Sequence, residues 1–327
     1  MNRIFVTLSF LLTFLCPMLA QEQVKFLFSD GINNSALKEQ VECNVSKLLS
    51  EINKSSKFKK QLYLDGIQIG KDAAGRLRCL WYNMPFSCEW KLNVQPCLRD
   101  FTEYEIRNIP ILVKPVVDKG KKELHDELVI TFDKNGIITS VRMAMNHLDY
   151  LKLCRGGKNR NDMRMRREIL KQLESFRGYY LEKNIGDIEQ FMNADAFVIV
   201  DNDSYIANGI KRMWKDKQRF AQKKNQLLSN LRQLFLQKGI VAAEISDIEL
   251  QRHGGNPYAY AVLFRLTLSQ DKFKEMEATD GYYFQIWDFS EEGTPKILLN
   301  VLSYKKALDL TVEDFFLSHY GCSFHKI

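Results

Sequence analysis

Tyr258-Ala259-Tyr260-Ala261-Val262-Leu263-Phe264-Arg265-Leu266-Thr267-Leu268-Ser269 is the stretch whose reading decides the fold. Tyr258, Tyr260, Val262, Phe264, Leu266 and Leu268 alternate with Ala259, Ala261, Leu263, Arg265, Thr267 and Ser269, which leaves one face wholly apolar. Alternation over that length is a long β-strand with one face turned to a core. The strand belongs to a run, Val241 to Leu302, that reads as extended almost throughout. Its last hairpin is Gly281 to Asp288 and Lys296 to Leu302, joined through Ser290-Glu291-Glu292-Gly293-Thr294-Pro295.

Upstream of this run the period changes. Met165, Ile169, Leu173, Phe176 and Tyr180 keep helical spacing from Asp162 to Glu182, and Ile185 to Met192 reads as a second, short helix. Phe197-Val198-Ile199-Val200 is strand-like, and Leu227, Leu231 and Leu234 mark a third helix over Gln226 to Gln237, stopped at Gly239. Helices followed by long antiparallel strands imply an α+β domain with helices on one face of a curved sheet.

That order resembles the nuclear-transport-factor-2-like fold, the cone shared with ketosteroid isomerase and the polyketide cyclases. The resemblance covers about Asp162 to Phe316. Its residues are Arg167-Glu168-Ile169-Leu170, Tyr179-Tyr180-Leu181-Glu182-Lys183-Asn184 leading into Ile188-Glu189-Gln190-Phe191, and Asp195-Ala196-Phe197-Val198-Ile199-Val200. Asp280-Gly281-Tyr282-Tyr283-Phe284-Gln285-Ile286-Trp287-Asp288-Phe289 is similar to a late strand of exported two-domain proteins of Gram-negative anaerobes, whose first domain also carries a cysteine pair. The fold hosts enzymes, binding modules and assembly domains alike, so the resemblance implies an architecture more than an activity. It implies a cone interior in which Tyr180, Tyr260, Phe264, Phe284 and Trp287 are the ligand-pocket candidates.

Enzymes of this fold bury an Asp or a His inside the cone, where burial moves its pKa towards neutrality. The apolar face of Tyr258 to Ser269 carries neither. Asp195, Asp201, Asp288 and His253 remain, but they stand beside strand ends, turns or Gly254-Gly255, positions that suit caps and turns. No catalytic residue is assigned. Walker loops, dinucleotide glycine motifs, zincin helices and nucleophile elbows are missing, and no cofactor is expected. His319, Cys322 and His325 have spacings a zinc site could use, but they lie within a few residues of Ile327 without a fourth ligand nearby, so no metal site is expected.

Met1 to Ala20 carries Arg3, then the apolar Ile4 to Leu15, then Cys16-Pro17-Met18-Leu19-Ala20 before the polar Gln21-Glu22-Gln23. This is the order of a cleaved secretory signal peptide. It is too short for a membrane span of about 20 residues, and Leu15 before Cys16 does not suit a lipobox. The mature chain, beginning near Gln21, is expected in the periplasm or outside the cell with no transmembrane segment. Of 327 residues, that leaves room for two domains of ordinary size. The expected layout is 1–20 signal peptide, 21–151 α+β domain, 152–161 basic glycine-containing linker, 162–317 cone domain and 318–327 tail.

In the first domain Val24 to Phe28 reads as a strand and Ser35 to Asn53 as an amphipathic helix, with Leu37, Val41, Val45, Leu48 and Ile52 on one stripe behind the caps Asn34 and Ser35. Leu62 to Ile69, Leu77 to Tyr82, and Ile106 to Val117 read as extended, the last as an edge or irregular strand because of Pro110 and Pro115. Leu128 to Phe132 and Ile137 to Val141 flank Asp133-Lys134-Asn135-Gly136, where Asn-Gly is expected to supply positive φ angles. Cys88 and Cys97 bracket a short loop and are the best candidates for a local disulfide in an oxidising compartment.

The formal charge of +7 suits anionic partners. Lys211, Arg212, Lys215, Lys217 and Arg219 interleave with Trp214 and Phe220. Behind a signal peptide such a patch points to an anionic glycan, a lipid headgroup or an acidic envelope protein in preference to nucleic acid. A solvated loop is the competing reading. A homodimer through the sheet is a further expectation. Four Asn-X-Ser sequons, among them Asn44 and Asn53, are coincidental if the host is bacterial, as the resemblance implies. The function expected is that of an exported non-enzymatic envelope protein whose cone binds a small apolar ligand or mediates assembly; the alternative is an isomerase- or cyclase-type enzyme.

Overall fold

A computed structural model of the chain describes residues 23–58, 61–99, 103–113, 124–191, 197–201, 217–236, 240–272, 275–291 and 295–303. Residues 1–20, read above as a leader, and Asp195, Lys211, Arg212, Lys215 and the His319, Cys322 and His325 trio lie outside the described residues. The structure is mixed α+β and divides into two compact units, Met1–Arg142 and Met143–Ile327. The segment 152–161, read as a linker, falls inside the second unit, where its first residues continue a helix. Among the described residues no helix is long and apolar enough to cross a membrane.

The first unit opens with β1 (Lys25–Phe28) and α1 (Ser35–Phe58), capped by the Asn34 side chain, whose Oδ1 accepts from the Leu37 amide at 3.1 Å. Val41, Val45, Leu48, Leu49 and Ile52 are fully buried, as the stripe requires. The next helix is α2 (Lys71–Asn83), so the Leu77 to Tyr82 run is helical and not extended. Ala73, Ala74, Leu77, Leu80 and Trp81 form its buried face, and Trp81 Nε1 donates to the Phe86 carbonyl at 3.3 Å. A short apolar run has the same composition in either state, and tertiary burial of Trp81 decides it here.

Then follow β2 (Phe86–Cys88), β3 (Leu92–Gln95), β4 (Cys97–Arg99), β5 (Tyr104–Val113), β6 (Leu124–Phe132) and β7 (Ile138–Met143). β1 and β3 pair in parallel, and the remaining strands form the order β2-β5-β6-β7 with β4 also on β5. β5 is therefore an inner strand despite Pro110. The proline sits just past a bulge at Asn108, φ 61°, where the neighbour of β5 changes from β4 to β2. In the Asp133 to Gly136 turn only Gly136 takes a positive φ, 76°. Asp133 Oδ1 accepts from the amides of Asn135 and Ile137, each at 2.9 Å, and this holds Asn135 out of the left-handed region expected for it.

The second unit contains α3 (His147–Arg155), α4 (Arg160–Leu181), α5 (Ile185–Phe191), β8 (Phe197–Asp201), α6 (Lys217–Leu236), β9 (Ile240–Arg252), β10 (Ala259–Lys272), β11 (Glu275–Asp288) and β12 (Lys296–Ser303). The five-stranded order is β8-β12-β11-β10-β9; every pair is antiparallel except β8 with β12. α6 starts earlier than its leucine stripe suggested, so Lys217 and Arg219 are helical.

Candidate functional site

Register on β10 and β11 sorts the aromatic candidates by face. Phe264 stands opposite Tyr283 and Tyr260 opposite Trp287, whereas Phe284 stands opposite Leu263 on the other face of the sheet. A one-residue offset reverses a side chain's face. The group expected in one pocket therefore divides, and Tyr283 takes the place foreseen for Phe284.

The ring cluster centres on Phe176 of α4. It meets Tyr180 edge-on at 5.2 Å, Tyr283 at 5.7 Å, Phe264 at 6.2 Å, and stacks on Phe191 at 4.3 Å between centroids. Phe264 and Tyr283 stack at 4.8 Å, and Phe191 reaches Trp287 at 5.9 Å. Tyr180 and Tyr283 share a hydrogen bond between hydroxyls at 3.1 Å. The polar atoms here are therefore paired, and the rings interdigitate as in a packed core. Beside them Trp287 Nε1 donates to Gln285 Oε1 at 3.1 Å, and Gln285 Nε2 donates to Asn300 Oδ1 at 3.3 Å.

Tyr260 belongs to a different cluster, at the N-terminal end of α4. Its hydroxyl donates to Asp162 Oδ1 at 2.9 Å, Arg166 Nε donates to the same oxygen at 3.0 Å, and the Lys158 amide donates to Oδ2 at 2.8 Å. Burial alone would push the Asp162 carboxyl up. The Lys158 amide, the Tyr260 hydroxyl and Arg166 outweigh it, and the net direction is down. Burial and the adjoining carboxylate push the Tyr260 hydroxyl up. This pairing yields an ionised carboxylate and a neutral phenol, the opposite of a general base poised near neutrality.

The other candidates have structural duties. Buried His253 accepts at Nδ1 from the amides of Gly255 at 3.1 Å and Asn256 at 3.0 Å, shaping the β9–β10 loop. Asp288 accepts from the Ser290 amide and hydroxyl at 2.9 and 2.8 Å. Asp201 ends β8. Among the described residues no group of His, Cys, Asp or Glu gathers as a metal site.

Sequence reasoning missed a polar stripe on α4. Arg166 donates to the carbonyls of Leu153 at 3.2 Å and Leu250 at 3.4 Å; Arg177 donates to those of Ala243 at 2.5 Å and Ala144 at 2.6 Å. Glu174 accepts from the Met145 amide at 3.0 Å. Ala243 and Leu250 belong to β9, the edge of its sheet, so guanidinium groups occupy carbonyls on an edge strand. In the first unit α1 does the same for β1 with acceptors. Ser50 Oγ, Ser46 Oγ and Glu42 Oε1 take the amides of Val24, Phe26 and Phe28 at 2.9, 2.9 and 2.7 Å. Helical i, i+4 spacing matches alternate strand amides, since both repeat after about 6 to 7 Å.

Cys88 and Cys97 are free, and the expected bridge between them is not formed. They pair with Ile111 and Ile106 of β5. Five positions along a strand correspond to about 16 Å, against the Cα separation of about 7 Å that a disulfide tolerates. Burial pushes each thiol up to about 12. Aromatics that could face a glycan are also sorted: Trp90, Tyr63, Tyr82 and Tyr258 are exposed, while Trp81, Tyr150 and Trp287 are core. No protein-family model matches the chain, and no curated protein matches it in sequence.

Proposed function

We propose that this chain is an exported, non-enzymatic protein of the cell envelope whose second unit is a nuclear-transport-factor-2-like cone used for assembly. The observation that carries this reading is the ring cluster of Phe176, Tyr180, Phe191, Phe264 and Tyr283, which occupies the space between α4 and the sheet where a ligand or substrate would sit. Asp162, a buried carboxylate bonded to Tyr260 of β10, is held ionised by the Lys158 amide, the Tyr260 hydroxyl and Arg166, which does not support its use as a general base in an isomerase reading. The sequence order of Met1 to Ala20 supports export, and the basic composition supports an anionic partner such as an acidic envelope protein, a glycan or a lipid surface.

A self-assembling form through the sheet is the simplest version of this reading. Light scattering on the secreted chain, measured across a concentration series, tests it: a mass that is a multiple of the monomer is the expected result. A strictly monomeric chain that binds a fluorescent apolar probe at one saturable site would instead support the small-ligand reading.

A further inference from the structure

A cleft of about 290 Å³ opens between the N-terminal end of α4 and the loop joining β9 to β10. That volume lies at the lower end of the range of about 300 to 1,000 Å³ seen in small-molecule sites. Arg160 and Arg252 line it, together with Asn159 and Asn161. Met165 and the exposed ring of Tyr258 supply the apolar wall. Among the described residues of the lining the carboxylate is Asp162, and Arg166 pairs with it from within the core. The oxygens of Asp162 accept from Arg166, the Tyr260 hydroxyl and the Lys158 amide. Its charge is thereby compensated inside the protein, and Arg252 gives the cleft its cationic group. Arg252 stands opposite Tyr260 in the β9–β10 ladder, so the strand pairing fixes where its side chain begins.

We infer that this cleft binds a small organic anion, a carboxylate or phosphate monoester carried on a flat apolar body. A guanidinium offers paired N–H donors that match the oxygens of such a group, and the bonds are charge-assisted. Tyr258 gives the body a ring to lie against. The inference goes beyond the assembly reading and does not depend on it, because the described residues of the cleft all belong to the second unit. A monomeric chain would still carry it.

Titration of the full secreted chain with benzoate, with phenyl phosphate and with phenol, followed by calorimetry, tests the site. At least one anion is expected to bind saturably, with affinity falling as salt is raised, and phenol is expected not to bind. Which anion binds more tightly distinguishes the carboxylate from the phosphate source. Arg252→Gln should weaken the better anion about 10-fold or more. Tyr258→Ala, at an exposed position whose replacement leaves the core intact, should weaken it several-fold. Absence of saturable binding by either anion, equal binding of phenol, or parent-like affinity in Tyr258→Ala or in folded Arg252→Gln overturns the proposal.

Discussion

Arg166 and Asp162 face each other one helical turn apart on α4 at 3.0 Å, both nearly excluded from solvent, and through them the helix is tied to Tyr260 of β10. Losing either partner strands the other in a poorly solvated place. Breaking a buried pair by removing one member costs about 3 to 5 kcal/mol. Asp162→Asn should therefore lower the urea midpoint of the second unit markedly. The double variant Asp162→Asn with Arg166→Met should recover part of the loss, and a double variant no better than the single would contradict this account of the pair.

Acid should act on both units through carboxylates paired with arginine. Burial pushes the Glu105 carboxyl up, but Arg142 at 2.7 Å and Arg107 at 3.0 Å outweigh it, so its pKa, like that of Asp162, is lower folded than unfolded. Such groups contribute stability that is fully present above their unfolded values of about 4 and lost as pH falls through the folded ones. Urea titrations from neutral pH downward should show stability falling below about pH 4. The fall should be shallower in Glu105→Gln and Asp162→Asn; profiles parallel to the parent would refute it.

Thiol labelling separates the cysteines. Cys88 and Cys97, pushed up to about 12 by burial, should resist iodoacetamide in the folded chain, while the exposed Cys43 and Cys79 react. Unfolding without reductant should then expose Cys88 and Cys97 to the reagent. Mass spectrometry that finds them joined in the protein would show that the strands carrying them rearrange on oxidation.

The ring cluster makes a packing prediction. Phe176→Ala should cost about 3 to 5 kcal/mol and leave an apolar hole between α4 and the sheet. A hole of that kind stays dry and accepts a small apolar molecule. Benzene should raise the melting temperature of the variant and leave the parent unchanged; stabilisation of the parent as well would mean that its interior already holds space.

Edge cover predicts solubility. Arg177→Met removes the donors reaching Ala243 and Ala144, at a cost of about 1 to 3 kcal/mol for each buried carbonyl left without one. Ser46→Ala with Ser50→Ala does the same to the amides of Phe26 and Val24. Both variants should aggregate faster than the parent when each is held at the same interval below its own melting temperature, read by light scattering and thioflavin fluorescence.

Much of the fold was legible because apolar periodicity is a direct record of burial. The alternation from Tyr260 to Leu268 became β10, and the stripes of Val41 to Ile52 and Met165 to Tyr180 became the buried faces of α1 and α4. Less legible was Tyr282-Tyr283-Phe284, since consecutive aromatics fit either face and only pairing with Phe264 chooses Tyr283. The stripes Glu42, Ser46, Ser50 and Arg166, Arg177 gave no signal at all. On a helix such residues read as solvated surface, and their strand partners contribute backbone atoms, which are the same at every position.

Order along the chain gives the arginine stripe a meaning for a chain that folds as it is synthesised. A chain emerging from its N-terminus presents Arg166 and Arg177 well before Ala243 and Leu250 follow. The guard is assembled ahead of the edge it protects. Delivery in the opposite order, as in a circular permutant that begins at β9, would present a long strand to its neighbours in the crowd before its own helix existed to claim it.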